Sequence, residues 1–87
     1  MPEGTGLVIA PTNAVHTFFM KFPIDIAFVS KAGRVVKVRE AVPARRVVAA
    51  LRGFAVIELA AGGARRAGLV QGITVIARTT NQPAAEV

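Results

Sequence analysis

Residues 16–30 read HTFFMKFPIDIAFVS, and they hold the only histidine of the chain, four of its five phenylalanines and one aspartate set in an apolar run. Proline lacks an amide donor and sits at strand starts or sheet edges, so Pro23 divides this stretch into two extended segments. In the first, His16 to Lys21, period-two alternation places His16, Phe18 and Met20 on one face and Thr17, Phe19 and Lys21 on the other. In the second, Ile24, Ile26 and Phe28 share a face and Asp25, Ala27 and Val29 oppose them. A carboxylate between isoleucines has two readings: the solvated outer face of a half-buried strand, or a buried acid held by hydrogen bonds or a cation. The solvated face is the favoured one, because charged side chains are seldom buried without a partner. A lone imidazole among aromatics is commonly a hydrogen-bonded structural residue, yet His16 is the side chain here whose ordinary pKa suits proton transfer.

Working outward, Leu7 to Ala10 forms a short apolar strand, closed by a turn at Pro11, Thr12 and Asn13. Downstream, Ser30-Lys-Ala-Gly33 is a hairpin signal, since glycine accepts the positive φ of a tight reversal. The returning strand, Arg34 to Glu40, is expected to point Val36 and Val38 inward and Lys37 and Arg39 outward. Ala41 to Leu51 reads as an irregular crossing with some helical turn, because Val47, Val48 and Leu51 have helix-like spacing. Phe54 to Leu59 is a further strand with a second embedded acid, Glu58. Ala60 to Gly68 is a tight turn into a short helix stopped at Gly68. Ile73 to Arg78 is a last strand, and 80–87 reads as a flexible tail after a single β-rich domain spanning 1–79.

Eighty-seven residues suit one small core, and a 53% hydrophobic content rich in valine, alanine and isoleucine excludes disorder and favours β structure. The fold class expected is α+β, mainly antiparallel β: a strongly curved sheet or small partly closed barrel of five to six strands with one short helix. Without cysteine, disulfides, thiolate catalysis and cysteine-held zinc are excluded. No apolar run approaches a membrane span and no signal peptide opens the sequence, so a cytoplasmic protein is the default expectation. Eleven lysines and arginines against five acids give a net charge of +6. The arginines are scattered and no tyrosine or tryptophan accompanies them to stack bases, so a solvated basic surface is favoured over nucleic-acid binding.

The segments HTFFMKFPIDIAF (16–28), GRVV (33–36) and AVIELAAGGARRAGLVQG (55–72) resemble the bacterial and archaeal family called domain of unknown function 192, over roughly Gly6 to Ala77. The family pattern joins a polar-aromatic-methionine segment, a proline and an IPLDI-like strand, a glycine hairpin, and a strand ending ELPAG before a glycine-terminated helix. FPIDIAF and ELAAG stand for the second and last of these, with Ala60 in place of the proline. The resemblance implies a mainly β, α+β fold and carries no agreed activity. It also implies that an N-terminal stretch of other members, an edge strand or part of a pocket wall, is largely outside this sequence.

Three functional classes follow. The first is a binding module for a small molecule or a protein, with a polar pocket formed by His16, Thr17, Met20, Asp25 and Glu58. The second is an enzyme, hydrolytic or metal-assisted, using His16 with Asp25 or Glu58; it lacks a serine elbow or second histidine, and one histidine with two acids is the minimum for a metal. The third is nucleic-acid binding by the basic surface. The first is favoured, with no metal or cofactor expected and the oligomeric state open.

Overall fold

The computed structural model describes residues 6–18 and 20–75. Six strands and one short helix run in the order β1 (Gly6–Ile9), β2 (Ala14–His16), β3 (Ile24–Val29), β4 (Val35–Val42), β5 (Val47–Ala49), β6 (Ala55–Ala60) and α1 (Gly63–Arg66). A four-stranded antiparallel sheet has the order β1-β6-β3-β4, and β2 pairs with β5 in a separate two-stranded sheet. The fold is thus mainly antiparallel β with two sheets and one helix. Of the two expected forms, a strongly curved sheet or a small partly closed barrel, no closed barrel is found: among the described residues β1 and β4 do not pair and remain the edges of the larger sheet. No helix among the described residues is long and apolar enough to cross a membrane.

β3 is one of the two interior strands of the larger sheet, and all six of its residues are buried. One face carries Ile24, Ile26 and Phe28, which cluster with Val42, Val56 and Ala50 and are covered by Val15 and Val48 from the two-stranded sheet and by Met20. The other face is covered by α1, which packs on β3 and β6. Burial of β3 on both sides explains why its run is nearly continuously apolar. It also forces Asp25 into the interior.

The solvated reading of Asp25 is therefore overturned: its side chain is fully buried. Its Oδ1 accepts the Ala41 amide at 2.8 Å, and its Oδ2 accepts the amides of Gly62 at 3.0 Å and Ala64 at 2.9 Å. The pairing of β3 with β4 shifts between Ile24 and Ile26, so β4 bulges opposite Asp25; Ala41, at a φ of 51°, turns its amide to the carboxylate. A non-glycine residue at positive φ costs on the order of 1–3 kcal/mol and persists where surrounding bonds hold it. Gly62 meets the same need without strain at a φ of 90°, and it opens α1 with no side-chain cap of its own. Asp25 caps the helix from a remote strand, satisfying donors that a helix start leaves free. Gly63 permits the close approach, since a Cβ there would lie 2.8 Å from the Leu59 Cβ.

The expected strand from His16 to Lys21 does not form. β2 ends at His16 because Thr17 turns its polar atoms onto the 43–46 loop. The buried Thr17 hydroxyl donates to the Pro43 carbonyl at 2.7 Å and accepts the Arg46 amide at 2.9 Å, while the Thr17 carbonyl accepts the Arg45 amide at 3.1 Å. The helical turn expected within Ala41 to Leu51 is replaced by β5, in which Val48 packs inward while Leu51, beyond the strand, is 98% exposed.

The hairpin at Ser30–Gly33 forms as read, with the Gly33 amide bonded to the Ser30 carbonyl at 2.9 Å. Beyond it a second register shift places Lys37 opposite Phe28 and Val38 opposite Ala27. Val36 and Val38 thus do not share a face, and Lys37 reaches across the core side to donate to the Ala49 carbonyl. Of the expected last strand, the described residues 73–75 form a bridge between Thr74 and Arg34, flanked by hydrogen bonds of the Val35 amide to the Ile73 carbonyl and of the Val75 amide to the Gly33 carbonyl. Its residues 76–78, and the expected tail at 80–87, lie outside the described residues.

Replacing Asp25 by alanine removes the acceptor of three amides, one in a buried hydrogen bond and two in part-buried ones, at about 1–3 kcal/mol each. Against a total stability of about 5–15 kcal/mol, chemical denaturation of Asp25→Ala is expected to show a loss of more than 3 kcal/mol or no cooperative transition. Asp25→Asn, which offers a single acceptor oxygen, should fall between that and wild type. Thr17→Val removes one donor and one acceptor from a buried position and should cost about 1–3 kcal/mol in the same measurement.

Candidate functional site

The second acid in an apolar strand lies on the opposite side of the sheet from Asp25. Glu58 pairs across to Ile26 on β3 and Leu7 on β1, whereas Asp25 pairs with Leu59, so strand alternation directs Glu58 toward the face covered by β2 and β5. It is 5% exposed. It borders a cavity of about 330 Å³ whose other lining residues are Ile9, Thr12, Ala14, Val15, His16 and Met20. β1 supplies Ile9, β2 supplies Ala14, Val15 and His16, and the turns on either side of β2 supply Thr12 and Met20.

Each polar group in the cavity has a distinct status. The Thr12 hydroxyl is taken up locally, donating to the Ala14 carbonyl at 2.9 Å and accepting the Ala14 amide at 3.3 Å. His16 lies at the exposed end of β2 and stacks obliquely on Phe18, with ring centroids 5.4 Å apart. Burial of Glu58 pushes its carboxyl above the ordinary value of 4.5, and the charge of the nearby His16 imidazole opposes that rise. The result is one buried acid beside one imidazole in otherwise apolar walls. Such a site can pair a cation, accept or donate a hydrogen bond, or exchange a proton.

Of the residues expected to form the site, His16, Met20 and Glu58 line one cavity. Thr17 and Asp25 do not join them, as their polar atoms serve the backbone of the 43–46 loop and of β4 and α1. The grouping of His16 with both acids is thereby broken, and among the described residues no set of three or more metal-ligating side chains comes together. Sequence reasoning missed Ile9, Thr12, Ala14 and Val15. Ile9 carried a signal, since alternation along β1 sets it opposite Val56 on the cavity side. β2, at three residues, is too short to show a period.

The solved structure of a protein of unknown function from Novosphingobium aromaticivorans is similar, with a TM-score of 0.72 and 23% sequence identity, over 83% of this chain and 56% of that one. At that identity the likeness concerns the fold, and the chain spans little more than half the length of its structural neighbour. Curated proteins gave no match. A family model described as "Uncharacterized ACR" covers residues 1–77, taking in both sheets and α1. The chain belongs to the domain of unknown function 192 family (DUF192).

Proposed function

We propose that this β-rich domain is a binding module for a small ligand, seated in the cavity between β1, β6 and β2. The observation that carries the reading is Glu58, a buried carboxyl on a rigid interior strand facing a cavity with mostly apolar walls. Ligand sites are commonly built in this way, from apolar walls and a few oriented polar groups. Asp25 and Thr17 support the site from outside it by fixing β3, α1 and the end of β2. A second reading, acid–base chemistry by His16 and Glu58, is favoured by their electrostatic coupling. It ranks behind the first because no serine or cysteine lines the cavity and the Thr12 hydroxyl is engaged with Ala14.

A thermal-shift panel of metabolites and metal ions tests the binding role. At tenfold excess over Kd a ligand stabilises by about 1.4 kcal/mol, which raises Tm by roughly 5–10 °C in a domain of this size. That increment should shrink markedly in Glu58→Gln and His16→Ala. A panel with no hit, or hits whose increments survive both substitutions, would count against the proposal.

The raised pKa of Glu58 gives a pH dependence of known sign. A carboxyl that holds its proton more tightly in the folded state favours folding at low pH, and that contribution is lost as pH rises through the folded value. Glu58→Gln should therefore melt above wild type at pH 7, and the difference should close as the pH is lowered toward 4. Parallel melts of the two proteins across that range check it; a wild type that outlasts Glu58→Gln at pH 7 contradicts the assignment.

A further inference from the structure

We infer that the ligand carries a protonated amine on a short apolar body, with the ammonium on the Glu58 carboxylate and the hydrocarbon against Ile9, Val15 and Met20. The inference rests on the binding role proposed above and specifies its chemistry.

The first argument is the local balance of charge. Ten of the eleven lysines and arginines lie among the described residues and none of these ten lines this cavity, where Glu58 is the one acid among the described residues. The residues paired with Glu58 on the flanking strands, Ile26 and Leu7, are apolar, and Asp25 lies on the far face of the sheet. Among the described residues His16 is the one other titratable group in the lining. The ten described cations that contribute to the net charge of +6 are scattered outside this lining, and in physiological salt their field is screened over about 8 Å. At contact distance the carboxylate supplies the negative charge a ligand meets, with the His16 imidazole beside it.

The second argument is what remains for recognition. Thr12 has spent its hydroxyl on Ala14, so neutral hydrogen bonding has little purchase beyond Glu58 and the imidazole. A carboxylate with apolar neighbours gains most from a cationic donor, because charge-assisted hydrogen bonds are roughly twice as strong as neutral ones and pairing offsets the cost of burial. The size agrees as well: about 330 Å³ is at the small end of ligand sites and suits a few carbons.

The test is an amide NMR titration of the whole chain at pH 7 with n-butylammonium, 1-butanol and butyrate, on wild type, Glu58→Gln and Glu58→Asp. Butylammonium is expected to move the amide resonances of Ile9, Ala14, Val15, His16 and Met20, binding at least tenfold more tightly than 1-butanol, with butyrate weakest. Glu58→Gln should lose that tenfold preference while keeping a dispersed, folded spectrum, and Glu58→Asp should retain part of it. If 1-butanol or butyrate binds the same residues as tightly, the ammonium assignment is overturned and the binding role stands. If none of the three moves those resonances, the assignment also fails, and the metabolite panel decides the binding role separately.

Discussion

The carboxylate of Asp25, buried at the centre of the larger sheet, is the constraint on which the architecture depends. Its two oxygens take amides from the β4 bulge and from the turn into α1. These segments lie 16 to 39 positions further along the chain, and neither has a side-chain acceptor of its own for those amides. A buried charge is costly, but one that accepts several backbone hydrogen bonds is compensated by dipoles that would otherwise be left unpaired. The acid and the amides solve each other's problem. The arrangement also fixes geometry, because it holds if Ala41 keeps its positive φ and Gly62 and Gly63 keep the helix start close against β6.

The same sheet handles its two acids in opposite ways, and register decides which is which. Asp25 faces α1, where amides are within reach; one position out of phase across the pair, Glu58 faces the apolar side, where the covering strands are short. There the backbone offers less, so burial raises the Glu58 pKa and a cavity opens beside it. A one-residue slip of β6 against β3 would bring Glu58 opposite Asp25 and so turn it to the α1 side, leaving both acids on one face. Exclusion of that slip is a consequence of the Asp25 bonds, so the acid that shapes the fold also determines where the chemically available acid points.

Much of the framework was legible in the sequence. β3, the Ser30–Gly33 hairpin, β6 and the Gly68 helix stop each rest on local signals: alternation over six residues, or glycine where φ must be positive. What escaped were the places where distant backbone competes with local pattern. Residues 16–21 alternate well enough to suggest a strand, but Thr17 finds the Pro43 carbonyl and Arg46 amide, and the strand stops. Val47, Val48 and Leu51 suggested a helix by spacing, although pairing with β2 prevailed. Burial of Asp25 was not legible for the same reason, since its partners are remote. In the site, His16 and Glu58 were visible as chemically unusual residues in apolar company. Their neighbours Ala14 and Val15 were not, because unremarkable apolar residues become a wall only through tertiary placement.

That contrast bears on how the cavity is kept open. A β2 extended through Met20 would continue the two-stranded sheet and lay more backbone over the core; instead Thr17 fastens the end of β2 to the 43–46 loop, and Met20 returns from the turn to pack on the core cluster and border the cavity. The Thr12 amide bonds the Phe54 carbonyl at 2.7 Å, and the Ala50 amide bonds the Asn13 carbonyl at 2.9 Å, tying the other end of the small sheet down. The covering layer is pinned at both ends by hydrogen bonds, while the side chains that β2 and the following turn bring to the cavity include a small one, Ala14, and a flexible one, Met20. Methionine adapts to irregular space better than a branched residue. In the binding role proposed for it, a cavity bounded by a fixed acid on one side and an adaptable thioether on the other would suit a class of small ligands better than a single shape.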